Sequence, residues 1–288
     1  MFNIGGEGQM FAGALGASLV ALYLPAGTPP VIAIVLVVLS GAVFGMLWAM
    51  PVAFLKTRFE IVMTVMLNEV ASGFVSYLIS VPMKDPLTPI HQSPIMQENF
   101  QLPELLQGTK IHLGVVIAFL FVFVVWFFMS RTTVGYQLKA TGLSSRAALY
   151  AGIPVTSVMV LSMMASGGFA GIAGAFEVTG VHLRLIEGVT GGCGFTAIIV
   201  AQLGKNQPFG IAIAALVFAS LTVGCAAMQR AVGTPAMLSD MIEGLAVLFF
   251  IMSEYIVKRV RKAGNVVPGL YVVGEAACGG RAGVRKEA

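Results

Sequence analysis

The side chains best suited to contact a polar solute lie at the very start of the chain. Asn3, Glu7 and Gln9 place two amides and one carboxylate on a glycine-rich stretch. An apolar run, Met10 to Leu24, follows directly. Polar groups beside an apolar segment are costly in lipid unless they face protein or a water-filled cavity. We therefore predict that this stretch belongs to a permeation pathway.

Catalytic and metal-binding patterns are missing from the sequence. Cys193, Cys225 and Cys278 lie far apart, and no phosphate-binding GxxxxGK[ST] motif occurs. Glu69 and Glu177 are the acidic residues within apolar runs that we consider as candidates for an intramembrane enzyme. We predict that the chain is not an enzyme, has no catalytic or metal-binding residues and binds no cofactor directly, so that any ATP is used by another subunit.

The composition is that of a protein solvated mostly by lipid. Hydrophobic residues make up 57% of the 288 residues and charged residues only 10%, with a mean hydropathy of +0.90. An ordinary soluble domain carries roughly 25% charged residues. The net charge of +4 falls in short clusters between apolar runs, which is typical of cytoplasmic loops in membrane proteins rather than of nucleic-acid binding.

Apolar runs predict an all-α polytopic membrane protein. A bilayer core of about 30 Å needs about 20 helical residues. Six runs meet this length: Val31–Leu55, Ile61–Val81, Ile111–Ser130, Val155–Val178, Phe209–Met228 and Met237–Val257. Two others, Met10–Leu24 and Cys193–Leu203, would reach only about 22 and 16 Å. Both follow glycines, as do the half or re-entrant helices that form midplane sites in transporters. Pairs such as Gly167 and Gly171 predict close helix packing.

Lys and Arg in short loops predict the orientation. Lys56, Arg58 and the region 131–153 are expected to be cytoplasmic, whereas the loop 82–110 is expected to be external. Residues 1–257 would form the membrane domain, and the basic residues 258–288 a cytoplasmic C-terminal tail.

The cytoplasmic region 131–153 contains a predicted docking helix. Ser144 is a suitable N-cap for a short helix over Ser145–Ala151, with Gly152 as its C-cap. Ala147, Ala148 and Ala151 would give this helix a small, smooth face that could enter a groove on a partner. An ordinary interfacial loop is the alternative.

Four motifs resemble the permease subunits of ABC importers for simple sugars and nucleosides, a family that includes branched-chain amino acid and ribose importers. FNIGGEGQ at Phe2–Gln9 is similar to the FNIGxEGQ signature of the nucleoside-type branch. TVGYQLKATG at Thr133–Gly142, followed by AALYAGI at Ala147–Ile153, is similar to the family's element that carries the ATPase-contacting helix. Ser166–Ala175 and Gly194–Gly204 are similar to two further segments of the family.

The resemblance implies which residues matter. Asn3, Glu7, Gln9 and Asn68 would offer donors and acceptors to ribose hydroxyls or base edges, and Phe195 would stack on a base. The alternative is that these polar residues pack helices together or form a gate. The residues implied in ATPase coupling are Gly135, Leu138, Lys139, Gly142, Arg146, Ala147, Ala148 and Gly152.

The resemblance also implies the assembly. The chain would translocate a small polar solute by alternating access in a bacterial plasma membrane. Its partners would be an ABC ATP-binding subunit, a second permease subunit, either identical or paralogous, and an external substrate-binding (lipo)protein. Nucleosides, pentoses, hexoses and branched-chain amino acids all stay candidate solutes.

Among the departures from the family pattern, two concern the start of the chain and the neighbour of Asn68. Members usually have one or two spans before the FNIGxEGQ motif, which here begins the chain, so the resemblance predicts that one or two N-terminal spans are missing. Glu69 follows Asn68 where the family tends to have an aromatic residue.

Two other functions stay open at the level of sequence. An ion-coupled secondary transporter would use Glu7 or Glu69 as a proton carrier. A membrane-embedded enzyme would depend on Glu69 or Glu177.

Overall fold

The described part of the chain is helical throughout. A computed structural model describes residues 3–25, 27–55, 60–105 and 111–232, together with positions 241, 244, 245, 248, 249 and 252. Within these residues there is no strand, and the only bridges are two isolated pairs. The helices are α1 (Gly6–Tyr23), α2 (Pro30–Leu55), α3 (Glu60–Ser80), α4 (Leu113–Arg131), α5 (Thr133–Leu143), α6 (Ser145–Tyr150), α7 (Val155–Phe176), α8 (Cys193–Leu203) and α9 (Pro208–Val232). A π-helical turn, Glu177–His182, extends α7.

Five of the described helices are long and apolar enough to cross a bilayer, namely α2, α3, α4, α7 with its π-helical turn, and α9. They correspond to five of the six full spans predicted from the sequence, and the all-α polytopic class is confirmed. The sixth, Met237–Val257, lies outside the described residues except for isolated positions, as do Lys56, Arg58 and the tail 258–288.

The first helix begins earlier than the apolar run indicated. Gly6 to Gln9 form the first turn of α1, so the helix has 18 residues and a length of about 27 Å. The polar start of the chain is therefore mostly helical, and the side chains of Glu7 and Gln9 project from a helix rather than from a flexible loop.

Glycines allow α1, α2 and α7 to pack backbone against backbone. A Cβ atom on Gly13 would collide with the backbone of Gly171 in α7, and one on Gly45 in α2 would collide with the carbonyl of Gly167. A Cβ on Gly174 would collide with the carbonyl of Met10. The close packing predicted from the Gly-xxx-Gly pairs is confirmed, and α1 lies in the centre of the bundle because of it.

The loop that was predicted to be external packs onto the ends of the helices. Met96 and Phe100 are buried in the same apolar cluster as α1 and Leu185. The N–H group of Ser93 donates to the carbonyl of Leu185 at 2.9 Å, and the N–H of Leu185 donates to the Ser93 hydroxyl at 2.9 Å. These contacts fix the segment that leads from α7 to α8.

By its internal contacts the chain divides into two compact units, residues 1–215 and 216–288. The second contains the end of α9 and the isolated helical positions. The site described next belongs to the first unit.

Candidate functional site

The carboxylate of Glu7 joins the N-termini of α1 and α8. Its Oε2 accepts a hydrogen bond from the N–H of Gly194 at 2.6 Å. Its Oε1 accepts from the N–H of Gly192 at 3.1 Å and from the hydroxyl of Thr190. Glu7 is only 6% exposed. All three partners are hydrogen-bond donors, so both carboxylate oxygens already accept hydrogen bonds from within the chain.

The loop before α8 is built to receive this carboxylate. Gly191 and Gly192 have φ angles of 54° and 80°, which glycine adopts most easily. Gly192 is the N-cap of α8 and has no side chain with which to cap it. A Cβ atom on Gly194 would collide with the backbone nitrogen of Glu7. Glu7 thus supplies from α1 the acceptor that the N-terminus of α8 lacks, and a negative charge is favoured there.

Asn68 caps the N-terminus of α1 in a similar way. Its Oδ1 accepts from the N–H of Gly8 at 2.8 Å, and its Nδ2 donates to the carbonyl of Ile4 at 3.0 Å. The side chain is 3% exposed. Since α1 has no capping hydrogen bond from its own N-cap Gly5, Asn68 on α3 satisfies one of its free N–H groups.

A third contact ties Asn3 to Gln9 and to α7. The Nδ2 of Asn3 donates to the Oε1 of Gln9 at 3.0 Å and to the hydroxyl of Ser166 at 2.9 Å. Its Oδ1 accepts from the N–H of Gly5 at 2.9 Å. Gln9 is 2% exposed, whereas Asn3 is partly exposed.

We call the group formed by Asn3, Glu7, Gln9, Asn68 and the segment Thr190–Gly194 the α1–α8 junction. Asn68 is the ninth of the 21 residues of α3, about 12 Å from its start and so well inside a membrane-spanning helix. The four polar residues predicted for the pathway meet here. The fifth, Phe195, lies in the first turn of α8 and is 43% exposed.

The predicted pathway residues of the junction fall into two groups by solvent exposure. Glu7, Gln9 and Asn68 are buried and hydrogen bonded, whereas Asn3 and Phe195 retain exposed surface. The first group is suited to hold three helices in register.

The predicted docking helix is present as α6. The Ser144 hydroxyl accepts from the N–H of Ala147 at 3.3 Å, as expected of an N-cap, and Gly152 follows the helix with a φ of 77°. The preceding helix α5 was not predicted. It is capped by Thr132, whose hydroxyl accepts from the N–H of Gly135 at 3.1 Å.

The exposed face of this region differs from the small, smooth face that was predicted. Ala148 points inward and is 3% exposed, packed with Ile153 and Val158. Ala147 and Ala151 are exposed as predicted, but large side chains are exposed near them, with Leu143 at the end of α5 89% and Tyr150 92% exposed. Packing of Ala148 in the apolar cluster with Ile153 and with Val158 of α7 accounts for its inward position. Of the other predicted coupling residues, Gly135 is buried, Leu138 is partly buried, and Lys139, Gly142, Arg146, Ala147 and Gly152 are exposed.

At the other end of α4, His112 is buried and accepts from the N–H of Gly114 at 3.1 Å through Nδ1. Burial lowers the pKa of this imidazole. Among the described residues no three His, Cys, Asp or Glu side chains are grouped as a metal site would require.

The sequence also matches known proteins along most of its length. Residues 1–252 match the family described as "Branched-chain amino acid transport system / permease component". No solved structure gives a significant match.

Three curated relatives have similar identities. The guanosine ABC transporter permease protein of Bacillus subtilis is 32% identical over 92% of this chain and 78% of its own length. The glucose ABC transporter permease protein of Haloferax volcanii is 32% identical over 96% of this chain and 77% of its length. The nucleoside ABC transporter permease protein of Lactococcus lactis is 30% identical over 90% of this chain and 73% of its length.

Proposed function

The chain belongs to the permease-component family of branched-chain amino acid transport systems, and from that membership we propose that it is the membrane-spanning subunit of an ATP-driven importer for a nucleoside or a simple sugar. The family consists of transport components, so the chain is a translocation subunit and not an enzyme. The resemblance seen in the sequence motifs is thereby confirmed.

The observation that carries the proposal is the α1–α8 junction. Helices α1 and α8 begin close together inside the bundle, and their N-termini meet around the Glu7 carboxylate. Helices that start within the membrane are tolerated where they line a cavity, and they are typical of transporter sites. A polar solute would pass beside such a site, at Asn3 and Phe195, without displacing the buried contacts.

The solute class is inferred from the relatives. Two of them are named for nucleosides and one for glucose. Both kinds of solute are neutral and rich in hydroxyl groups, which amide side chains can bind as donors and acceptors. The aromatic ring of Phe195 would stack on a base or on the face of a sugar.

The free energy for transport would come from ATP hydrolysis by a separate ATPase that docks on α5 and α6. Leu143, Leu149 and Tyr150 form an exposed apolar surface there, with Lys139 and Arg146 exposed in the same region. Large side chains on a short, capped helix fit a groove on a partner. Closure of the ATPase subunits would then reach α7 through the buried contact of Ala148 with Val158.

The rest of the assembly follows from the same proposal. A second permease subunit would complete the pathway, and an external binding protein would deliver the solute. The chain would lie in a bacterial plasma membrane with its C-terminus in the cytoplasm. It would bind no cofactor itself, since ATP is used by the partner.

Co-purification tests the assembly and the solute class together. The chain would be expressed with an ATPase and a binding protein encoded beside it, purified through a tag on the chain, and the binding protein screened against nucleosides, pentoses, hexoses and branched-chain amino acids. We expect a stable complex and binding of a nucleoside or a sugar. Failure of the ATPase to co-purify would contradict the assembly, and binding of a branched-chain amino acid alone would contradict the solute class.

A further inference from the structure

Glu69 is a carboxylate exposed near the middle of a membrane-spanning helix. It is the tenth of the 21 residues of α3, about 14 Å from one end and about 17 Å from the other. Its side chain is exposed, and no hydrogen bond or ion pair to another residue holds it in the described chain. A carboxylate at this depth is strongly disfavoured against lipid. This side of α3 must therefore meet water, solute or protein.

The exposed face of α3 has a polar edge and an apolar edge. At 100° per residue, the half-buried Ser72, Ser76 and Ser80 fall within about 60° of Glu69, and these four residues form the polar edge in the second half of α3. The apolar edge lies about 60–140° from Glu69 in the direction away from Ser72 and consists of Met66, Val70, Phe74 and Tyr77, all well exposed. Only the apolar edge is suited to contact lipid.

The polar edge adjoins the α1–α8 junction. The Ser76 hydroxyl donates to Oε1 of Glu187 at 3.4 Å. Glu187 directly precedes the glycine-rich segment that enters α8. At the other end of the edge, the neighbour of Glu69 is Asn68, which holds the start of α1. The polar edge thus starts at the neighbour of Asn68, which holds α1, and reaches the segment that leads into α8.

The junction itself leaves few free acceptors for a solute. The oxygens of Glu7 and Asn68 are taken by backbone N–H groups, and Gln9 accepts from Asn3. Glu69 keeps both carboxylate oxygens available. Two such oxygens can accept from two neighbouring hydroxyl groups at once, as acidic residues do with ribose.

We propose that the polar edge of α3 lines the aqueous path of the solute, and that the Glu69 carboxylate accepts hydrogen bonds from adjacent hydroxyl groups of a sugar or riboside. This inference rests on the proposed transport function and adds to it a specificity-determining residue. Ser72 and Ser76 supply small groups that both donate and accept, so that the solute can move along the edge. A branched-chain amino acid has no such hydroxyl pair, and its carboxylate would be repelled.

Thiol labelling tests the path directly. Ser72→Cys and Ser76→Cys would be placed in a chain whose three native cysteines are replaced by serine, alongside Val70→Cys and Phe74→Cys on the apolar edge as matched controls. In the assembled transporter we expect a charged methanethiosulfonate reagent to label the first pair at least about tenfold faster, since thiolates form and react in water. Equal rates on both edges would overturn the proposal. So would slow labelling of Ser72→Cys together with disulfide cross-linking between two copies, which would assign the edge to a permease–permease contact.

The role of Glu69 has its own test. Millimolar guanosine or glucose should protect Ser72→Cys from the reagent, whereas millimolar leucine should not. Protection should be lost in Glu69→Ala and partly retained in Glu69→Gln, which keeps one acceptor oxygen. Protection by leucine, or by none of the three, would overturn the assignment of solute hydroxyls to Glu69.

These outcomes can be told apart from failure of the proposed function. The rate of ATP-dependent uptake should fall about tenfold in Glu69→Ala, which is the scale expected for a lost hydrogen bond to a charged group. The rate should stay unchanged in Val70→Ala. If Glu69→Ala takes up solute at the wild-type rate, the role of Glu69 is refuted but the proposed transport function is not. Absence of any ATP-dependent uptake by the unmodified complex would refute the proposed function, while the labelling pattern would still show which edge meets water.

Discussion

Replacing Glu7 distinguishes a carboxylate that holds two helices together from one that contacts solute. Glu7→Ala removes the acceptor of three donors, two of which are backbone N–H groups of Gly192 and Gly194. The Thr190 hydroxyl can rotate to another acceptor, but the two N–H groups cannot. A buried unsatisfied donor costs about 1–3 kcal/mol, so we expect a loss of about 2–6 kcal/mol in the free energy of unfolding.

Milder substitutions in the junction should cause smaller losses in the free energy of unfolding. Glu7→Gln keeps the volume and one acceptor oxygen, but turns an amide N–H₂ toward a donor, and should cost about 1–3 kcal/mol. Thr190→Val removes a single neutral hydroxyl contact and should cost about 1 kcal/mol. Glu98→Gln is the matched control, because Glu98 is exposed in the loop and is not part of the junction.

The assay is the thermal stability of the purified chain in detergent, followed by the monodisperse fraction after heating. At about 2–4 °C per kcal/mol, Glu7→Ala should melt at least about 4 °C lower, and Glu98→Gln should melt as the wild type does. The reasoning is refuted if Glu7→Ala melts as the wild type does. If such a variant also lost uptake in the assembled transporter, Glu7 would be a solute contact and not a link between helices.

Three further predictions concern packing, coupling and pH. Gly171→Ala places a methyl group against the carbonyl of Gly41 and should destabilise the chain by about 1–3 kcal/mol or more, whereas Gly224→Ala, where a Cβ meets nothing within 4 Å, should not; a melting curve for each decides. Tyr150→Ala should leave the melting temperature unchanged but weaken co-purification of the ATPase, and equal recovery of the ATPase would contradict a docking role for α6. Because burial lowers the pKa of His112, the unfolded chain binds more protons than the folded one below about pH 6.5, so that stability is complete above that pH and falls as the pH drops below it. His112→Asn keeps a capping acceptor and should remove this loss, which melting at pH 7 and pH 5 would show.

The membrane architecture could be predicted because it depends on local signals. Helix α8 has the bounds Cys193–Leu203 that the apolar run indicated, and α6 starts after the N-cap Ser144 as expected. The signal is strong in these places because hydropathy and capping act between near neighbours in sequence. Helix α5 was missed since its sequence, TVGYQLKATGL, is neither strongly apolar nor clearly periodic.

The geometry of the site could be predicted only in part. The sequence indicates that the glycine-rich starts of α1 and α8 are counterparts, but the bond between Glu7 and Gly194 joins residues 187 positions apart. Nothing local in the sequence reports such a contact. The inward position of Ala148 was likewise unpredictable, because Ala147 and Ala148 of α6 and the following Ala151 have the same size and polarity, and only packing with Val158 of α7 distinguishes the buried one.

Solute uptake into proteoliposomes tests the central claim most directly. The vesicles would contain the chain with its ATPase and binding protein, with labelled guanosine or glucose outside and ion gradients collapsed by an uncoupler. We predict accumulation with ATP, none with a non-hydrolysable analogue, and no effect of the uncoupler. Uptake by the chain alone that is driven by an ion gradient and abolished by the uncoupler would contradict the account.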